Sequence, residues 1–282
     1  MKYGIYYELP FEQYAAEDAL NGSSIVHMRR SPMHYRYMKD HPQPTTPALK
    51  LGIATHRLIL EPTKVDDFAV WGLEEDQKVR RGKVWDAFSC ANSSKMIVTE
   101  DECAAMVGMA VGARKNLPIR KYADAKGPTE VSLFWVDHVT GRRMKARIDK
   151  WIPTMRAVFD LKTTRDCRAY KFGAQSYALG YHIKMAIQHM GVMALLDTDA
   201  SMKLGAIESK APHESAVYRI PKDVLLQGKE ELDEVIKVLV ECEKTGTWPA
   251  DQPEESDLQL PTRATSTDND EDLALEGLEM DS

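Results

Sequence analysis

The segment GRRMKARIDKWIPTMRAVFDLKTT (residues 141–164) contains two strand-like stretches, each with an aspartate inside it. Residues 141–152 and 156–164 alternate polar with apolar side chains, or run apolar, over the length of a strand. The stretch TEVSLFWVD (129–137) before them has the same character. We therefore expect three successive strands joined by short turns.

Two carboxylates and a lysine are expected to meet on these strands. Side chains two residues apart point to the same face of a strand, so Asp160 and Lys162 share one face. If the second and third strands pair as a hairpin, Asp149 converges with Asp160. Neighbouring carboxylates repel each other, and a hard divalent cation such as Mg²⁺ relieves that repulsion. The pattern favours a metal site in which Lys162 acts on a water or a phosphate, although an isolated Asp-x-Lys also suits a solvated strand edge.

Helices are expected on both sides of these strands. Helical periodicity covers residues 23–40 (with a break at Ser31-Pro32), 48–62, 99–116, 172–196 and 222–244, and a late hairpin is expected at 203–210 and 214–220. Residues 1–22 and 63–95 show little periodicity. The order of elements indicates an α/β domain over residues 1–250, in which helices flank a mixed central sheet. Its helical part would span about 20–120, and its catalytic sheet and helices about 125–250.

The net charge of −6 is divided unevenly along the 282 residues. Residues 251–282 contain eleven Asp or Glu and one basic residue, whereas residues 1–250 contain 36 Lys and Arg against 32 Asp and Glu. A mildly basic body permits nucleic-acid binding without requiring it. The acidic tail has too few apolar side chains to bury, so burial cannot offset the conformational entropy that the tail would lose on ordering. We therefore expect it to be disordered. Its segment LALEGLEM (273–280) is compatible with docking to a partner.

Cysteine usage and hydropathy indicate a cytoplasmic protein without a membrane anchor. The four cysteines lack the close spacing of metal knuckles or iron–sulfur sites, and we expect ordinary reduced thiols at Cys90, Cys103, Cys167 and Cys242. No apolar run approaches the roughly 20 residues that a membrane span needs. The first residues do not resemble a signal peptide.

Several further motifs follow one another in a recognisable order. They are SSIVHMRRSPMHY (23–35), TTPALKLGIATHRLILEP (45–62), RRGK (80–83), KARID (145–149), FDLKTT (159–164), IESKAPH (207–213) and Trp248-Pro249. Together they resemble the RecE-type exonucleases (exonuclease VIII, C-terminal domain), phage recombination enzymes of the PD-(D/E)XK nuclease superfamily. The resemblance covers most of residues 20–250 and implies the β-β-β-α core of that superfamily.

The resemblance also implies roles for individual residues. The metal ligands it implies are His56, Asp149, Asp160 and the backbone carbonyl of Leu161. It makes Lys162 the catalytic lysine, acting with the two aspartates, and Glu130 a strand glutamate of the catalytic site. Without the resemblance, His56 is equally compatible with a buried core histidine, and Glu130 with a solvated strand residue.

One helix departs from the family pattern. Lys184 replaces a usual glutamine, and Gln188 stands where an aromatic residue is usual. Tyr181, Lys184 and Gln188 nevertheless fall at i, i+3 and i+7 on one helix face, and we expect them to contact DNA. Basic residues expected to hold backbone phosphates are Arg29, Arg30, Arg80, Arg81 and Arg147.

The function implied by the resemblance is that of a Mg²⁺-dependent exodeoxyribonuclease, in which Mn²⁺ substitutes for Mg²⁺. Such an enzyme degrades linear double-stranded DNA from 5′ to 3′ and leaves 3′ single-stranded overhangs. The resemblance further implies a ring-shaped homo-oligomer, a single-strand annealing partner of the RecT type, and a phage or prophage origin in a bacterial host. Two alternatives stay open: an endonuclease of the same superfamily, or a non-catalytic DNA-binding scaffold for recombination.

Overall fold

The computed structural model describes residues 1–41, 46–64, 67–74, 79–253 and 255. The strands are β1 (Gly4–Tyr6), β2 (Phe68–Trp71), β3 (Met96–Thr99), β4 (Thr129–Val136), β5 (Arg143–Ile152), β6 (Ala157–Thr164), β7 (Ser201–Glu208) and β8 (Ser215–Arg219). The helices are α1 (Phe11–Ala16), α2 (Gly22–Arg30), α3 (Pro32–Asp40), α4 (Pro47–Leu60), α5 (Gly82–Ala91), α6 (Glu100–Lys115), α7 (Leu117–Ala123), α8 (Ala169–Ala178), α9 (Tyr181–Leu196) and α10 (Lys222–Thr245). The acidic tail expected to be disordered lies almost entirely outside the described residues.

Six strands form one sheet in the order β1-β4-β5-β6-β7-β8. Neighbouring strands are antiparallel except β6 and β7, which pair in parallel because α8 and α9 carry the chain back between them. β2 and β3 form a separate parallel pair. The mixed central sheet expected from the sequence is confirmed, and β4, β5 and β6 are the three successive strands.

Helices cover both faces of the large sheet, as expected. On one face, α4, α6 and α7 pack on β6, where Phe159 and Leu161 are fully buried. On the other face, the core of α2, α9 and α10 includes Ile25, Ile183 and Leu232. Within the described residues, no helix combines the length and the apolar character that crossing a membrane would require. The apolar faces of the helices named above pack on the sheet.

The first twenty residues pack against the sheet, which local periodicity did not predict. β1 pairs with the edge of β4. The ammonium group of Lys145, buried on β5, donates hydrogen bonds to the carbonyls of Tyr14, Ala15 and Glu17 at 2.9, 3.0 and 2.7 Å. The segment is therefore held by contacts with residues more than a hundred positions away. Residues 63–95, which also show little periodicity, contain β2 and α5.

The single helix predicted over residues 172–196 is in fact two helices. α8 ends at Ala178 and α9 begins at Tyr181, with Gly180 as the cap between them. Gly180 has a φ of 64°, in the left-handed region that favours glycine. A Cβ at this position would lie 2.5 Å from Cγ2 of Val26 on α2. The prediction was wrong here because apolar periodicity continues across the break.

Candidate active site

The large sheet opens between β5 and β6, and two aspartates lie at the opening. The two strands pair only where residues 150–152 face 157–159. Asp149 and Asp160 are the first residues beyond the last of these pairs. Asp149 Oδ2 accepts a hydrogen bond of 2.8 Å from the backbone N–H of Leu161, which takes the place of a ladder bond. The structure thus brings together the two carboxylates that the sequence places on successive strands.

A third carboxylate lies on the neighbouring strand. The pairing of β4 with β5 is present on both sides of Glu130 and Asp149 and skips these two residues. Glu130 has a φ of 52°, in the left-handed region that costs a non-glycine residue free energy. Its Oε2 lies 2.5 Å from Nε of Arg147. The three carboxylates therefore occupy adjacent strands, and an arginine neutralises the one on β4.

Helix α4 brings His56 to these carboxylates. Nδ1 of His56 lies 3.5 Å from Asp149 Oδ2, and the side chain is 18% exposed. One turn earlier, Gly52 faces β6, where a Cβ would lie 3.7 Å from Oγ1 of Thr163. A Cβ at Gly52 would therefore make only an ordinary van der Waals contact with β6, and α4 packs against this strand without requiring glycine here. His56 lines the cleft beside Asp149 and does not belong to the apolar core.

Lys162 and Gln188 contact the two oxygens of Asp160. Nζ of Lys162 lies 2.7 Å from Oδ1, and Nε2 of Gln188 donates to Oδ2 at 2.9 Å. The same amide nitrogen is 3.2 Å from the carbonyl oxygen of Arg147, so Gln188 links β6 to β5. Gln188 was expected to contact DNA, and that contact stays a prediction. In the structure its amide nitrogen holds one oxygen of Asp160.

The electrostatics of this group of residues suit a divalent cation. Burial raises the pKa of Asp149 well above its usual range, and the negative charges of Asp160 and Glu130 raise it further, partly offset by Lys162. Oδ1 of Asp160, although ion-paired, is buried and accepts no well-aligned hydrogen bond from the described residues. A bound cation would stabilise the ionised form of Asp149 and fill the coordination of Asp160. Carboxylate oxygens beside one histidine therefore fit Mg²⁺ or Mn²⁺.

Asp149→Asn is expected to raise the Tm of the protein in EDTA at neutral pH. Because the folded-state pKa of Asp149 is raised, the native state retains a proton that the unfolded state has lost. The contribution of Asp149 to the free energy of unfolding therefore falls as the pH rises from the usual pKa range of aspartate through the raised pKa of Asp149. Asparagine can still accept from Leu161 and carries no charge. Each kcal/mol gained corresponds to about 2–4 °C in Tm, which thermal unfolding between pH 4 and 9 measures.

Asp199→Asn is the matched control for this prediction. Lys222 and His189 hold the pKa of Asp199 down to about 2, so its loss should not raise the Tm at neutral pH. Two outcomes would contradict this prediction: a dependence of Tm on pH that is the same in Asp149→Asn as in wild type, or a Tm below that of wild type throughout the range. Either would show that ionised Asp149 does not destabilise the metal-free protein.

The site lies in a cleft of about 1040 Å³. Tyr181, Lys184 and Gln188 of α9 all line it, so the helix face expected from their spacing does face the site. The ammonium groups of Lys162 and Lys184 lie 5.5 and 5.4 Å from the centroid of the Tyr181 ring. The stem of Lys184 packs on α2 at Gly22, where a Cβ would lie 2.6 Å from Lys184 Cγ. Two cations thus lie over one aromatic ring beside the carboxylates.

The arginines expected to contact DNA have other surroundings. Arg147 lines the cleft, but its guanidinium is engaged by Glu130. Arg80 lies 3.3 Å from Glu102, and Arg81 is the exposed residue that precedes α5. In the described part of the chain, the lining of the cleft includes neither Arg80 nor Arg81. A contact between these two residues and DNA would therefore take place outside the cleft.

A second group of ligand-type side chains lies outside the cleft, at the ends of β6 and β7. The ligand atoms of Cys167, Glu208 and Glu214 lie within 4.8 Å of one another. Burial raises the pKa of Cys167 to about 11, and Glu208 raises it too, so the thiol is protonated at neutral pH. The backbone N–H of Cys167 also donates to Glu208 at 3.0 Å. These contacts are consistent with the ordinary thiol expected from the sequence.

Comparison with known families assigns the fold. A family model described as a PDDEXK-like domain of unknown function (DUF3799) matches residues 22–258. The chain belongs to this family. Its PDDEXK-like domain contains β4, β5, β6 and α9, and hence the carboxylates described above. The expected superfamily is thereby confirmed, whereas the RecE type within it stays a prediction. Among curated proteins, none matches the sequence significantly.

Solved structures that align with this PDDEXK-like protein include the following two. One is a crystal structure from Eubacterium rectale, provisionally described as an exonuclease, with a TM-score of 0.60 and 9% identity over 92% of this chain and 97% of that chain. The other, SSO0001, has a TM-score of 0.33 and 11% identity over 79% of this chain and 81% of that chain. At such identities the first likeness concerns the fold alone, and the second is too weak to carry an argument.

Proposed function

We propose that this protein is a Mg²⁺-dependent exodeoxyribonuclease that hydrolyses linear double-stranded DNA from 5′ to 3′. The observation that carries the proposal is the meeting of Asp149 and Asp160 at the opening between β5 and β6, with Lys162 2.7 Å from Asp160. The nuclease-like fold supports phosphodiester hydrolysis. The resemblance to RecE-type enzymes supports the polarity and the 3′ single-stranded product.

The residues of the cleft would divide the work of hydrolysis. Asp149, Asp160, His56 and the carbonyl of Leu161 would hold Mg²⁺ or Mn²⁺. When bound, such a cation neutralises charge on the scissile phosphate and lowers the pKa of a water. The ammonium of Lys162 would stabilise the negative charge that develops on the phosphate. Because Gln188 holds Oδ2 of Asp160, the other oxygen of that carboxylate keeps one orientation.

The proposed partners follow from the same resemblance. They are the ends of double-stranded DNA, other copies of the chain in a closed ring, and a single-strand annealing protein of the RecT type. The ring would keep the enzyme on one DNA molecule during digestion. The setting would be the cytoplasm of a bacterial host that carries the gene on a phage or prophage.

Digestion of end-labelled DNA tests the function and its polarity. In Mg²⁺ we expect rapid release of label from a linear duplex labelled at the 5′ end, late release from one labelled at the 3′ end, and no cutting of covalently closed circular DNA. EDTA should abolish cutting, and Ca²⁺ should support binding without cutting, because its looser coordination positions water poorly. Cutting of circles would favour the endonuclease. Binding without cutting in both Mg²⁺ and Mn²⁺ would favour the scaffold.

A further inference from the structure

An exposed aromatic ring stands in the wall of the cleft. Phe11, the first residue of α1, is 59% exposed, and it lines the cleft together with Leu9 and Tyr14. An aromatic ring in the wall of a cleft that also contains a few convergent charged groups is an expected feature of a ligand-binding surface. None of the roles derived above uses this ring.

The Phe11 ring packs against buried aromatic side chains. Its centroid lies 6.3 Å from that of Tyr14, which in turn lies 5.8 Å from that of Phe134 on β4. Tyr14 and Phe134 are buried together with Leu9. Lys145 donates to two carbonyls of the same helix, those of Tyr14 and Ala15, and to that of Glu17, which follows the helix. The position of Phe11 is therefore set by the sheet and not by a loop.

Strand β5 connects this aromatic wall to the carboxylates. Lys145, Arg147 and Asp149 alternate along the strand and share one face. Nη1 of Arg147 donates to the carbonyl of Leu9 at 2.9 Å, and its guanidinium carbon lies 6.0 Å from the Phe11 centroid. Asp149 follows two residues later, a rise of about 6.6 Å. The exposed ring thus stands close to the site of hydrolysis, on the same wall.

We propose that Phe11 stacks on an unpaired nucleobase at the end of the DNA strand that enters the cleft. The proposal rests on the function proposed above and names the part of the substrate that this wall would recognise. A base inside a duplex has both faces covered by its neighbours, whereas a frayed terminal base offers a face to an aromatic ring. Such stacking tolerates any sequence and is worth about 5- to 150-fold in affinity. The ring would therefore favour frayed ends over the interior of a duplex.

A coupling experiment tests this contact. The affinity for duplex ends would be measured in Ca²⁺ for wild type and for Phe11→Ala. Each duplex end would carry either a normal nucleotide or an abasic residue at one of the first three positions, counted from the 5′ end of the strand that terminates there. At one position the abasic residue should weaken wild type by about 5- to 150-fold and leave Phe11→Ala unchanged. Phe11→Trp should behave as wild type, and Phe11→Leu as Phe11→Ala, because leucine keeps apolar area without a ring.

Tyr7→Ala provides the matched control. Tyr7 is 57% exposed on the same segment, and it is absent from the described lining of the cleft, so its loss should leave the coupling intact. Additive effects of Phe11→Ala and the abasic residue at all three positions would overturn the stacking proposal. A wild-type protein that cuts no DNA in Mg²⁺ would overturn the proposed function instead, so the two failures are distinguishable.

Discussion

Asp160→Ala and Lys162→Ala are each expected to lower the rate of hydrolysis of linear duplex DNA in Mg²⁺ by at least about 10³-fold, or about 4 kcal/mol of transition-state stabilisation. Asp160 contributes a carboxylate to the proposed metal site, and the ammonium group of Lys162 lies 2.7 Å from that carboxylate. Removing Asp160 also relieves its repulsion with Asp149, so the fold should hold. Binding of duplex ends in Ca²⁺ should persist for Lys162→Ala, and initial rates with saturating DNA measure the loss.

Asp199 and Lys222 offer a matched pair of controls. They form an ion pair of the same length, 2.7 Å, away from the cleft. Asp199→Ala and Lys222→Ala should therefore cut DNA at the wild-type rate. Near wild-type turnover of either Asp160→Ala or Lys162→Ala would mean that the cleft between β5 and β6 is not the catalytic site. Thermal unfolding of each variant separates loss of chemistry from loss of fold.

Lys184→Glu is expected to bind duplex ends far more weakly than wild type, whereas Lys184→Gln, which restores the residue usual in RecE-type enzymes, should keep substantial activity. The ammonium of Lys184 lies over Tyr181 beside the carboxylates, where a DNA phosphate would pass. A charge-assisted hydrogen bond to phosphate is worth about 1.5–3 kcal/mol. Lys184→Ala should lose that contact, and a glutamate would add repulsion.

The dependence of affinity on salt concentration identifies this contact. Loss of one phosphate contact should make the negative slope of log K against log salt shallower by about 0.9, because one fewer counterion is released. Lys237→Ala, on the exposed face of α10, should leave the slope unchanged. Equal slopes for wild type and Lys184→Ala would remove Lys184 from the DNA path.

The three central strands, and the residues that share their faces, could be predicted from the amino-acid sequence. Alternation along a strand is a local property, so Asp160 and Lys162 could be assigned to one face from their spacing alone. The same holds for α9, where Tyr181 and Lys184 face the cleft as their helical spacing indicated. Motif order was sufficient to recognise the superfamily and to single out His56, which no local pattern distinguishes from a core histidine.

The way in which these elements contact one another could not be predicted from the sequence. Gln188 lies on the predicted helix face, but its contact with Asp160 depends on how closely α9 approaches β6, a distance that no sequence pattern encodes. At the break between α8 and α9, a side chain at Gly180 would collide with Val26 of another helix, a contact that local periodicity likewise does not show. Phe11 and its neighbours lack periodicity, and the residues that hold them in place, Lys145 and Arg147, lie far along the chain. Contacts between residues far apart in the sequence leave no local pattern. The position of Phe11 in the wall of the cleft therefore could not be predicted from the sequence.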